Sequence, residues 1–319
     1  MAAFFAQIFA AILIVVSSVI PQTSCRYNGK YRGSGSRLIE HITTTNFSGA
    51  NLPAESQLEF RKCHFPSFGP NLFQALDPAI KRVTFRKGSV RDVIVDWSVQ
   101  LEGLQIIDTG LVELKAASDE PNYHLKQLTI RSKRFSEWSP TLASLRMLEE
   151  IDVAYCNLSY LNVQWFEGYD RLKVLDVSKN RLSVFDVRQS SIPALERLHL
   201  WGNRLEQLHR FPEAFPKLKK VTLAQNQWLC RWVGNVRGMI LTQGVELMDM
   251  DGVCPIGWEI NGGLCCKRGK HAEDLESKRK SRSQTSVLID REIVGMHGSV
   301  IGMKYGNTIV YVDEPLPIS

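Results

Sequence analysis

Four stretches decide the fold: LEEIDVAYCNL (148–158), LKVLDVSKNRL (172–182), LERLHLWGNRL (195–205) and LKKVTLAQNQW (218–228). Each fits the frame L-x-x-L-x-L-x-x-N/C-x-L, and their starts lie 24, 23 and 23 residues apart. The frame runs upstream through LKQLTIRSKRF (125–135), LEGLQIIDTGL (101–111) and IKRVTFRKGSV (80–90). ESQLEFRKCHF (55–65) is a weak first copy without its leading leucine. About eight copies in phase at 21–25 residues specify an α/β leucine-rich repeat solenoid, a horseshoe of stacked coils.

The spacing has a mechanical meaning. Within each copy the L-x-L pair alternates along a short strand, apolar residues inward and the intervening residue outward. Stacking aligns the strands as a parallel sheet over one ladder: Phe60, Phe85, Ile106, Ile130, Val153, Val177, Leu200 and Leu223. Asn180, Asn203 and Asn226 occupy the ninth position, where a buried amide must find backbone partners in adjacent turns. Cys156 holds that position in its own copy and is expected to be a buried, unpaired thiol. Gly88, Thr109 and Lys133 depart from the turn pattern, so the first half of the array is expected to be less regular than the second.

Working outward, residues 1–24 carry an apolar run from Phe4 to Ile20 at the extreme N-terminus and are read as a signal peptide rather than a membrane anchor. The expected organisation is then an N-terminal cap (25–54), repeats (55–229), a C-terminal cysteine cap (230–266), a basic linker (267–286) and a tail (287–319). A secretory route makes Asn46 (N-F-S) and Asn157 (N-L-S) glycosylation acceptors. It also lets the seven cysteines be read as disulfides. Cys25 and Cys63 are expected to pair over the front of the array. At the back, Cys265 and Cys266 are neighbours, and two adjacent Cα atoms are too close for a relaxed disulfide between them. Cys230 and Cys254 each take one of the two, in an order the sequence leaves open; the competing reading frees one of them for an intermolecular bridge. A helix is expected near 232–242. In the tail, VLIDREIV (287–294), VIGMK (300–304) and TIVYV (308–312) have strand composition. Three states stay open for it: a small β appendage, packing on the cap, or loose order.

The net charge of +6 is modest for 319 residues, with much of the excess in KRGK (267–270) and SKRKSR (277–282), so nothing asks for nucleic acid. RKSR (279–282) also resembles a minimal basic processing site. There is no G-x-S-x-G, no H-E-x-x-H and no phosphate loop. The seven histidines are dispersed, so no catalytic residue, metal ligand or cofactor is expected.

Taken together, the signal peptide, the repeat, the N-Q-W-L-C ending (226–230) and the cap with its C-C doublet resemble the leucine-rich immune proteins of mosquitoes. Extracellular receptor caps carry C-x-C after the last repeat, whereas Trp232 stands at the second of those positions here. Residues 267–319 hold no sustained heptads, so the chain is most similar to the coil-less members. The resemblance implies a haemolymph immune factor, non-catalytic, with a complement-like thioester protein, other leucine-rich immune proteins or a microbial surface as partners. A soluble receptor-like module without a complement partner is the alternative.

The outward strand residues are the candidate binding face. Arg61, Lys62, Arg82, Arg86, Lys87 and Arg131 make its early end basic, while Glu150, Asp152, Tyr155, Asp176, His199 and Trp201 make its later end acidic and aromatic. Tyr155, His199 and Trp201 are expected to form an exposed aromatic patch for a protein partner.

Overall fold

The computed structural model describes residues 30–31, 36–40, 56–187, 190–269, 296–297, 300–305 and 308–313. The expected signal peptide, Cys25 and with it the Cys25–Cys63 pair, Asn46, the VLIDREIV segment and most of the basic linker lie outside them.

The repeat frame becomes one sheet. Its order is Lys30–Tyr31, Ser36–Glu40, Gln57–Arg61, Arg82–Arg86, Gly103–Ile107, Gln127–Arg131, Glu150–Asp152, Val174–Asp176, Arg197–His199, Lys220–Thr222 and Glu246–Leu247. All pairings are parallel except the first. The register keeps equivalent positions side by side, with Phe60 beside Phe85, Ile106 beside Ile130 and Leu175 beside Leu198. The whole predicted ladder from Phe60 to Leu223 is buried. Ile39 lengthens it ahead of the first copy by pairing with Phe60, and behind the last copy Leu247 pairs with Val221.

The first half differs from the expectation. Its strands are five residues long against three in the second half, and they hold register without a slip. A second parallel sheet of His64–Phe68, Ser89–Val95 and Glu113–Ala116 backs them. Only the turn chemistry changes. Gly88 stands where later copies place asparagine because a Cβ there would lie 2.0 Å from the Cys63 carbonyl oxygen. The core here is an aromatic spine, with Phe60 stacked on Phe85 at 5.1 Å and Phe65 and Phe68 edge-on to it.

The second half is tied by amides instead. Asn180 donates to the carbonyls of Val153 and Val177 and accepts from Leu158 N. Asn203 donates to Val177 and Leu200 and accepts from Leu182 N, and Asn226 repeats the pattern one coil on. Each amide therefore bridges its own turn and the preceding coil. Cys156 imitates this with its thiol, donating to the Ile130 carbonyl at 3.4 Å, and burial pushes that thiol up to about 11. Upstream, Ser132 rather than Lys133 turns inward and donates to the Leu111 carbonyl.

The cap closes the last coil. A helix, Cys230–Thr242, follows it, and the hairpin Glu259–Asn261/Leu264–Cys266 folds back. The hairpin turn is Gly262-Gly263 at φ 58° and 85°, a conformation glycine adopts without Cβ strain. Disulfides join Cys230 to Cys266 and Cys254 to Cys265, so the doublet is split and all four cap cysteines are paired within the chain. Asp249 accepts from Leu223 N and Ala224 N, and Asp251 from Gln225 N and Cys265 N. Earlier coils give the N–H groups equivalent to those of Leu223 and Gln225 a carbonyl of the next coil, as Val153 N to Asp176 O and Tyr155 N to Ser178 O. The two carboxylates stand in for a coil that is not there.

Residues 268–319 form a separate compact unit, whose described strands Met296–His297, Val300–Tyr305 and Thr308–Asp313 make an antiparallel sheet. Among the described residues no helix is long and apolar enough to cross a membrane.

Candidate functional site

The outward residues of the sheet fall into columns set by the register. One column runs Glu59, Thr84, Gln105, Thr129, Asp152, Asp176, His199 and Thr222. Two residues further along each strand are Arg61, Arg86, Ile107 and Arg131, a row that Trp201 continues in its own coil.

Pairing tempers the expected contrast of a basic and an acidic end. Arg61 bonds Glu59 at 2.7 Å and lies 3.9 Å from Glu40, and Arg86 lies 3.7 Å from the same Glu59. Arg131 reaches across one coil to Asp152 at 2.8 Å. That hydrogen bond is the largest cause holding the Arg131 guanidinium more firmly protonated than usual. The remaining Asp152 oxygen accepts from Ala154 N, and Asp176 accepts from Ser178 N. These carboxylates cap the ends of their strands. The face is polar, with Arg61, Arg86 and Arg131 paired and Lys62, Arg82 and Lys87 without an ion pair among the described residues.

The aromatic patch is corrected. Tyr155 sits in the turn after its strand at φ 57°, 43% exposed, with the Arg131 guanidinium 5.8 Å and Lys133 Nζ 6.0 Å from its ring centre. Trp201 lies just past the strand Arg197–His199, two coils on, and is half-buried against the core. Lys179 Nζ covers that ring at 3.7 Å, a cation–π contact, and also donates to Gln225 Oε1 at 2.7 Å. His199 faces Thr222, 3.4 Å from its hydroxyl. The structure thus builds two cation–aromatic units, Arg131–Tyr155–Lys133 and Lys179–Trp201, in place of one bare patch. Sequence reasoning missed Lys179 because its turn position shows no shared residue type. Lys62, Lys87, Asp108, Tyr155, Lys179 and Gln225 all hold the left-handed conformation at the eighth position of their copies.

A further pattern lies on the leading edge, where the chain enters each strand. The second position of successive copies reads Lys81, Glu102, Lys126, Glu149, Lys173, Glu196 and Lys219, alternating in sign without exception. Lys126 pairs with Glu102 at 3.4 Å, Lys173 with Glu149 at 2.8 Å and Lys219 with Glu196 at 3.1 Å. The cleft there, about 200 Å³, sets Arg82, Lys126, Lys173 and Arg197 against Glu102, Glu149 and Glu150. Asn157 is half-buried at the opposite edge, beside Cys156. Among the described residues no group of three or more His, Cys, Asp or Glu side chains is placed to hold a metal ion.

The family described as Leucine rich repeat matches residues 146–205. Compared by sequence with curated proteins, the chain has no match. Among solved structures it is similar to the LRIM1/APL1C complex, at 19% identity and TM-score 0.55 over 78% of this chain and 53% of that one. The leucine-rich repeat domain of APL1B is similar at 21% identity and TM-score 0.51, over 67% of this chain and 73% of that one. Human 5T4, a trophoblast glycoprotein, is similar at 17% identity and TM-score 0.55, over 71% and 90%. The chain spans about half the length of the LRIM1/APL1C chain it matches. At these identities the likeness establishes the solenoid fold.

Proposed function

We propose that the chain is a secreted, non-catalytic binding protein of insect innate immunity that captures a protein partner on the later half of its concave face. The observation that carries this reading is the pair of cation–aromatic units, Arg131–Tyr155–Lys133 and Lys179–Trp201, set where the chain leaves the sheet. Aromatic and arginine side chains held in fixed geometry lose little freedom on binding, so they anchor interfaces well. Asp176 and His199 sit beside them as polar rim, while Arg61 and Arg86, which share Glu59 and have Glu40 near Arg61, are peripheral.

The partner class follows from the resemblance: a complement-like thioester protein or another leucine-rich immune protein. LRIM1 and APL1C form a complex. The two intrachain cap disulfides favour a non-covalent association here. The test is non-reducing mass spectrometry of proteins co-purified from body fluid with the tagged chain. A thioester protein or a second leucine-rich protein, recovered without a disulfide link and lost with Tyr155→Ala/Trp201→Ala, is the expected result. Unchanged capture by that double variant would sink the site assignment. Recovery of a microbial surface component without a protein partner favours the receptor-like alternative.

A further inference from the structure

The two edges of the sheet handle charge in opposite ways. Along the leading edge every cation at the second position is flanked by acids in the neighbouring coils, which lie about 4.8 Å away. The trailing edge, where the chain leaves each strand, has no such partners. A groove of about 460 Å³ lies there, lined by Lys133, Asn157, Lys179, Arg181, Arg204 and Gln225 among others, and no carboxylate lines it. Lys133, Arg181 and Arg204 are exposed and make no ion pair among the described residues.

These cations are held on a rigid frame. Arg181 and Arg204 both occupy the tenth position, in adjacent coils. Arg181 N donates to Leu158 O at 2.8 Å and Arg204 N to Leu182 O at 2.9 Å, so each backbone is tied to the coil before it. Between them, the buried Asn203 locks the turn. Like charges at coil spacing repel one another unless an anion lies between them. The ligand that fits repeats its anions along the stack, since guanidinium groups in register grip sulfate, phosphate or carboxylate by two hydrogen bonds each. The Asn157 and Gln225 amides in the lining match sugar hydroxyls. No aromatic ring lines the groove for a base to stack on, and no apolar pocket opens for peptide side chains.

We propose that the trailing edge between Lys133 and Gln225 binds a linear anionic polysaccharide; this site shares Lys133 and Lys179 with the cation–aromatic units of the concave face, while Arg181 and Arg204 are its own. The test is affinity of the secreted full chain for a heparin fragment and for a glycerol-phosphate teichoic acid at 0.15 M salt, with neutral dextran as reference. Binding to one or both, but not to dextran, is expected, and the preferred polymer identifies sulfate or phosphate as the source. Arg181→Gln/Arg204→Gln lowers affinity roughly tenfold, whereas the leading-edge variant Lys173→Gln/Lys219→Gln stays within about twofold. Ser159→Ala, which removes the glycan acceptor sequon without touching the lining, leaves binding equal or tighter. The proposal is overturned by failure to bind either polymer, by equal losses in the two charge variants, or by loss of binding in Ser159→Ala. A stronger response to polyglutamate than to both polymers would also overturn it, reassigning the groove to protein.

Discussion

The two halves of the array solve one stacking problem with different chemistry. In the first half, longer strands, a backing sheet and stacked phenylalanines hold the coils, and the turns are left to glycine, threonine and serine. In the second, strands shrink to three residues and a column of asparagines joins each turn to its predecessor. Regularity of sequence therefore tracks the kind of glue used, not the order of the fold. Where aromatic area is plentiful the turn is free to vary. Where the strand is short, the amide becomes indispensable.

That contrast can be broken at chosen residues. Asn203→Ala should cost about 3 kcal/mol, because it strands the buried Leu182 N–H and takes one of two amide donors from each of the Val177 and Leu200 carbonyls, which keep Asn180 and Asn226; chemical denaturation measures it, and a loss under 1 kcal/mol would sink the amide account. Gly88→Ala in the other half should cost about 3 kcal/mol through overlap with the Cys63 carbonyl, a backbone atom that cannot swing aside. A fully stable alanine variant would show that the close approach is not required.

Cys156 gives a pH handle. Its folded thiol titrates near 11 against an ordinary value of 9.0. The folded state prefers the neutral thiol, so the stabilisation is complete below pH 9 and is lost as pH climbs from 9 through 11. Relative to Cys156→Ser, the native chain should lose roughly 2–3 kcal/mol across that window, and at pH 8 the folded protein should resist thiol alkylation. Rapid labelling at pH 8 would contradict the burial. The smallest effect is expected at Thr109, whose buried hydroxyl has no hydrogen-bond partner among the described residues. Thr109→Val should be neutral or raise stability by about 1 kcal/mol, read as a shift in the denaturation midpoint; a loss of more than 1 kcal/mol would mean that the hydroxyl is satisfied after all.

Much of this was legible before any coordinates. The apolar ladder, the asparagine column, the cap helix and the need for the cysteine doublet to split all follow from spacing and bond geometry. The alternating lysines and glutamates of the leading edge were readable too, once the repeat frame aligned them. Other features were hidden for physical reasons. The left-handed turn residue is defined by its backbone angle, and its side chains at Lys62, Asp108 and Tyr155 share no chemistry. The pairing of Arg61, Arg86 and Arg131 depends on which acid the register brings within reach, and Glu40 arrives from outside the repeats altogether. Trp201 looked like a free anchor because nothing in its own copy reveals that Lys179, one coil earlier, lies over it.

The paired aspartates of the cap carry a consequence for how such a molecule changes over generations. A stack of near-identical modules contains no instruction about when to stop, and any open last strand invites another. Asp249 and Asp251 write that instruction in side chains, at a place no module occupies. Copies can then be duplicated or deleted upstream while the full stop stays where it is. The length of the array, and with it the reach of its surfaces, becomes an adjustable trait of the lineage.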